Sequence, residues 1–179
     1  MQLTRGKAIS AAKGFAAPEG GQAYTRAREL CEQLGEVSQL APILYGLILY
    51  HLYRDELASA SAVARELLRL AEQDGTTSAL FYAHRAMGVS SLPSGDFVSA
   101  RMHLEHALSL YNPVEHRDQA IHYAFDPQVV CLDYLSRTLL PLGYPEQALA
   151  RHNAALSAAR QLSHLTTLAF TLFYGCILH

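Results

Sequence analysis

Charge and cysteine are what this chain has little of. Charged residues fill 17% of its 179 positions and the formal net charge is −2, so it offers no basic footprint for nucleic acid and none for an anionic membrane surface. The three cysteines, Cys31, Cys131 and Cys176, are odd in number, far apart and set in apolar runs. That excludes a disulfide framework and the C-x-x-C spacing of a zinc site, and the expectation is three buried, reduced thiols. The opening residues, Met1-Gln2-Leu3-Thr4-Arg5-Gly6-Lys7, lack the apolar run and small-residue cleavage site of a secretory signal, which with the thiols points to a reducing cytoplasm. No apolar stretch reaches the roughly 20 residues that span a bilayer. The most apolar, Ala41 to Tyr53, carries only His51 as a potentially charged group and reads as a buried helix.

Catalytic templates are missing as well. There is no G-x-S-x-G elbow, P-loop, H-E-x-x-H or dinucleotide glycine pattern, so neither enzyme activity nor a bound cofactor is expected. Glu29, Glu32, Glu66 and Glu105 fall on helix faces rich in arginine and read as solvated surface rather than a general acid and base.

What is present is apolar side chain, 50% of the sequence, enough to bury a substantial core. It is arranged in helices. Ala23, Ala60, Ala100 and Ala148 occupy one relative position in four segments. Four residues further on stand Ala27, Ala64, Leu104 and His152, then Leu30, Leu67, Ala107 and Ala155, and next to those Cys31, Leu68, Leu108 and Leu156. Steps of this size keep all of them on one helical stripe, with small residues where helices approach closely. Acidic residues open these segments (Glu19, Asp55 and Glu56, Asp96, Glu146) and arginines follow (Arg28, Arg69, Arg160), as the helix dipole favours. Before each lies another apolar segment, Leu3 to Lys13, Gln39 to Arg54, Thr77 to Ser91 and Pro127 to Leu142, joined to it by a turn. Asp126-Pro127 is a helix start, a capping carboxylate followed by proline.

Gly88, Gly95-Asp96-Phe97, Ala100, Leu104, Ala107 and Pro113 resemble the tetratricopeptide consensus, and the other pairs match it less fully. The key alanines are 37, 40 and 48 residues apart, against about 34 in the standard repeat. The resemblance implies an all-α fold: a right-handed α-solenoid of about four antiparallel helix pairs plus one further helix, a single array over residues 1–179. Gly14-Phe15-Ala16-Ala17-Pro18-Glu19 with Ala23 to Cys31 is similar to the helical repeat region of large bacterial signalling ATPases, whose other domains include nucleotide cyclases and DNA-binding domains. It implies a non-catalytic interaction or regulatory module of a longer bacterial protein.

The resemblance places a concave groove on the first helix of each pair, at Tyr45, Leu49, Leu52 and Tyr53, then Tyr82, Arg85, Val89 and Leu92, then Val130, Asp133, Arg137 and Leu140. Aromatic anchors with two arginines and an aspartate suit an extended peptide or a partner helix bearing a carboxylate. The plainer reading is that the tyrosines pack between pairs and Arg85, Arg137 and Asp133 pair with one another. An architectural spacer, or a small-ligand sensor with a cavity near Tyr82, Arg85 and Arg137, are the alternatives.

His103-x-x-His106 puts two imidazoles a helical turn apart, but two ligands do not make a metal site and the expectation is a solvated face. His51, His84 and His152 lie in or beside core stripes, where a hydrogen-bonded imidazole is the ordinary outcome. The connection Asn112 to Asp126, with Glu115, His116, Arg117, Asp118, His122, Tyr123 and Phe125, is either a contact surface or an insertion packing its own aromatics. The last segment, Leu165 to His179, is an apolar helix without a following partner, so self-association through this uncapped end is expected.

Overall fold

The computed structural model describes residues 2–34, 40–114, 116, 125–162 and 164–176. Among these the regular structure is helical, with nine helices and no strand, and none of the helices is long and apolar enough to cross a membrane. Residues 115, 117–124 and 177–179, part of the aromatic connection and of the last apolar segment, lie outside the described residues. The chain divides into two compact units, Met1–Gly75 and Thr76–His179. The junction carries its own punctuation. Gly75 ends one helix in the left-handed conformation (φ 71°), and Thr76 caps the next by accepting from the Ala79 N–H at 3.3 Å.

The first unit holds α1 (Gln2–Lys13), α2 (Pro18–Leu34), α3 (Leu40–Leu52) and α4 (Leu57–Asp74). Each packs on the next in sequence, and α1 also touches α3. The interlock is aromatic. The Tyr24 ring of α2 lies over Gly6 of α1 and Gly46 of α3, and the Tyr50 ring of α3 lies over Gly21 of α2, so close that no Cβ would fit between. The α3–α4 turn passes through Asp55 at φ 60°, which strains a non-glycine residue but less so aspartate. Glu56 behind it spends its carboxylate on His51 (2.6 Å) and Arg54 (2.7 Å) instead of capping α4.

The second unit holds α5 (Thr77–Ser91), α6 (Phe97–Leu110), α7 (Pro127–Leu139), α8 (Pro145–Gln161) and α9 (Leu165–Gly175). Helices α5 and α6 run antiparallel: Phe81 meets Tyr111, His84 meets His103, and Gly88 meets Leu104 and Ala100. Helix α7 touches α5, α6, α8 and α9, and α9 touches α7 and α8. Asp126 caps α7 by accepting from the Val129 N–H at 3.0 Å, with Pro127 in the first turn. Helix α7 ends earlier than Leu142, because Gly143 at φ 85° turns the chain back and the Tyr144 N–H closes on the Leu139 carbonyl at 3.0 Å.

The alanine register is the buried seam of both units. Ala23, Ala60, Ala100 and Ala148 are all buried, as are Ala27, Ala64, Leu104 and His152 after them. Leu67, Ala107 and Ala155 are buried and Leu30 is partly covered, as are Cys31, Leu68, Leu108 and Leu156. The thiols differ from expectation: all three are unbridged, but only Cys131 is buried, Cys31 is half-covered and Cys176 is exposed. Cys176 follows the last turn of α9 on its outward side, which the apolar run around it does not reveal.

Candidate functional site

The residues assigned to a groove divide between the units. In the first, Tyr45 and Leu49 are buried, and Tyr53, 47% exposed, sets its ring 5.1 Å from that of Phe15. In the second, Tyr82, Arg85 and Asp133 are buried while Arg137 is partly covered. Of these seven only Tyr53 is exposed, and Arg137 presents part of its surface. The Arg85 guanidinium lies over the Tyr82 ring, 5.1 Å from its centre, while that of Arg137 lies between the rings of Tyr134 (4.9 Å) and Tyr174 (4.1 Å). Burial pushes the neighbouring Cys131 thiol up to about 12 against the pull of Arg85, so it stays protonated and is no nucleophile at neutral pH.

Asp133 has partners that its own helix does not suggest. Thr171 of α9 donates its hydroxyl to Asp133 Oδ2 at 2.7 Å, and His152 Nδ1 of α8 lies 3.4 Å from Oδ1. The second distance is an electrostatic contact, not a hydrogen bond of good geometry. Burial holds the Asp133 carboxyl above its usual range, partly offset by Thr171, His152 and Arg137. The cluster contains a hydroxyl, an imidazole and a carboxylate, but in the wrong order for nucleophilic catalysis. The hydroxyl proton points to the carboxylate and not to the imidazole, and His152 Nε2 is shut in against Gly175, where an added Cβ would come within 2.7 Å. What the arrangement does is tie α7, α8 and α9 together. A second tie runs from the Asp126 N–H to Thr167 Oγ1 at 3.1 Å, and Thr167 also meets His164 Nδ1 at 2.7 Å.

The histidines are redistributed. His103 is buried rather than solvated, and His84 of α5 lies against both His103 and His106. Among the described residues no group of three or more His, Cys, Asp or Glu is arranged to hold a metal ion. His116 is fully buried, stacked on Phe81 at 4.3 Å, and takes the Asn112 N–H on Nδ1 at 2.8 Å. His116 of the connection therefore packs inward.

Helix α9 is inside out. Its buried side carries Thr167, Thr171 and Gly175. Its exposed side carries Leu165, Ala169, Leu172, Phe173 and, just past its end, Cys176, at helical spacing on one stripe. Leu165 is 81%, Leu172 50% and Phe173 68% exposed. The helix stays docked through these polar ties together with Leu168, which packs on Val129 and Leu132, and Phe170 and Tyr174, which meet Tyr134, while Leu165, Leu172 and Phe173 are left outside. Sequence reasoning saw an apolar helix but not which side was turned out. The signal was the pair Thr167 and Thr171, one turn apart.

The chain matches no protein-family model and no curated protein.

Proposed function

We propose that this chain is a non-catalytic protein-interaction module, a right-handed tetratricopeptide-like stack of helix pairs serving a larger cytoplasmic bacterial signalling protein. The buried small-residue register, the same on α2, α4, α6 and α8, supports the repeat reading. The observation that carries the interaction reading is the outward stripe of α9, where Leu165, Leu172 and Phe173 face solvent while Thr167 and Thr171 face the interior. Contiguous apolar surface of this kind on a soluble domain marks a contact site. An amphipathic helix laid along it would bury the stripe as α8 buries the Val129 and Leu132 side of α7.

The test is light scattering of the full chain at rising concentration beside a Leu172→Ser, Phe173→Ser double variant. Both altered residues are exposed, so the variant should be equally helical by circular dichroism. The unaltered chain is expected to self-associate and the variant to remain monomeric. A clean monomer for both at high concentration would sink the stripe as a contact surface, leaving an architectural spacer as the better account.

A further inference from the structure

His84 projects from the middle of α5 onto two imidazoles of α6. Its Nδ1 lies 2.9 Å from His103 Nδ1, and its ring lies nearly parallel to that of His106, 9° between planes and 4.2 Å between centres. The nitrogen pair fixes a proton count. One Nδ1 must carry a hydrogen and the other must not, so the bond exists only while at least one ring is neutral. The stacked pair has a like restriction, because two imidazoliums face to face at this distance repel.

The surroundings supply little to relieve a second charge. Asp96, which caps α6, acts on His103 from a distance but is engaged with the Ser99 N–H at 3.1 Å. On α6, Arg101 and Glu105 pair with each other at 2.9 Å. Among the described helices the other one packed on α5 is α7, and its ionisable groups are engaged elsewhere: Cys131 lies near Arg85 and Asp126, Asp126 accepts from the Val129 N–H, Asp133 meets Thr171 and His152, and Arg137 meets Tyr134 and Tyr174. Among the described residues, the ionisable groups acting on His84 are the two histidines alone.

We propose that His84, His103 and His106 form an acid-sensitive catch between α5 and α6, closed by a shared proton and stacked rings and released by a further proton. Burial, then the charges of His106 and His103, lower His84 from 6.5 to about 4, and burial lowers His103 as well. A separated seam returns these rings to their ordinary value and takes up protons that the closed seam refuses. Closure is therefore fully favoured above about pH 6.5 and is lost progressively as pH falls from there toward about 4.

The test is amide hydrogen exchange of the full chain at about pH 7.5 and about pH 5.5, corrected for the intrinsic pH dependence of exchange, together with an imidazole NMR titration. Amides of α5 and α6 are expected to gain about tenfold in opening at the lower pH relative to those of α8, the factor that the His84 displacement gives by linkage. The gain should fall sharply in His84→Phe, which keeps an aromatic ring on His106 and leaves only the smaller contribution of buried His103. It should shrink in His106→Phe, which alters only an exposed position. His84 titrating at its ordinary value, or an equal gain in both variants and the unaltered chain, would overturn the proposal. So would stabilisation by one equivalent of zinc(II) that His84→Phe abolishes, because the three rings would then be reorganising into a metal site.

Discussion

The two units solve the same problem, holding helices at close range, by different means. Among the described residues the first buries one polar side chain besides its tyrosines, Ser10, whereas the second buries eleven, among them Arg85, Asp133, His152 and Thr171. The first is keyed by shape: tyrosine rings set into glycines, with Tyr24 held between Gly6 and Gly46. The second uses that device at Gly88, under Leu104, but fixes α7, α8 and α9 through hydrogen bonds and charge. Shape complementarity is forgiving of chemistry and intolerant of volume. A buried polar tie is the reverse, since deleting one partner strands the other in a medium that cannot solvate it.

The contrast is broken most severely at Thr171→Val. The substitution is close in volume and keeps the branched carbon, but it leaves the buried Asp133 Oδ2 without its 2.7 Å donor. A loss of about 3 kcal/mol is expected in urea unfolding at neutral pH, at the upper end for a hydrogen bond to a charged group. The loss should depend on pH. The folded state already raises the Asp133 value above 3.8, and removing the donor raises it further. Because the folded pKa is the higher one, protonation as pH falls through it relieves the folded state first. The gap between variant and unaltered chain should therefore narrow on acidification toward 3.8. A pH-independent gap would mean that Asp133 is neutral in the native chain, and the tie would have to be redrawn.

The next largest effect lies in the first unit, at Gly46→Ala. In an open helix this change stabilises by about 1 kcal/mol through helix propensity alone. Here the added methyl group meets the Tyr24 ring, which is also packed against Gly6, an added Cβ there lying 2.8 Å from the same ring. Overpacking costs about 1–3 kcal/mol, so the sign should reverse to a net loss of about 1 kcal/mol in thermal unfolding. A net gain would show that the ring moves aside easily and that the first unit is not keyed by shape.

The parts of this design that were legible in the sequence are those with local signals. The alanine register needed only helical spacing to place Ala60, Ala64 and Leu67 on one buried stripe, and Asp126-Pro127 announced the start of α7 because capping is a contact between neighbours in sequence. Asp133, His152 and Thr171 were each visible as polar residues in apolar surroundings. Their partnership was not, since 38 residues separate Asp133 from Thr171, and no periodicity specifies which misfit meets which. The reading that paired Asp133 with the arginines found one true neighbour, Arg137, and missed the hydroxyl that holds the carboxylate. The same limit placed His103 on a solvated face. Its partner His84 belongs to the preceding helix, and only the antiparallel meeting of α5 and α6 brings the two rings within 2.9 Å.

The smallest predicted effect is the one that isolates the difference between the units. Tyr24 is packed against two glycines of the first unit, and its hydroxyl lies 3.5 Å from Ser10 Oγ, at the limit of a hydrogen bond. Burial raises the phenol further above the neutral range, with Ser10 opposing only in part, so no charge is at stake. Tyr24→Phe keeps the ring in its place between the glycines and deletes only this contact. The expected cost is below about 1 kcal/mol in the same urea experiment, smaller than that of Thr171→Val although each change removes one buried hydroxyl. If the ring is the key, its oxygen is incidental, and Tyr24→Phe should unfold at nearly the concentration of the unaltered chain. Equal losses for the two variants would mean that hydroxyls are worth the same in both units, and the division between a shape-keyed and a polar-keyed unit would fall.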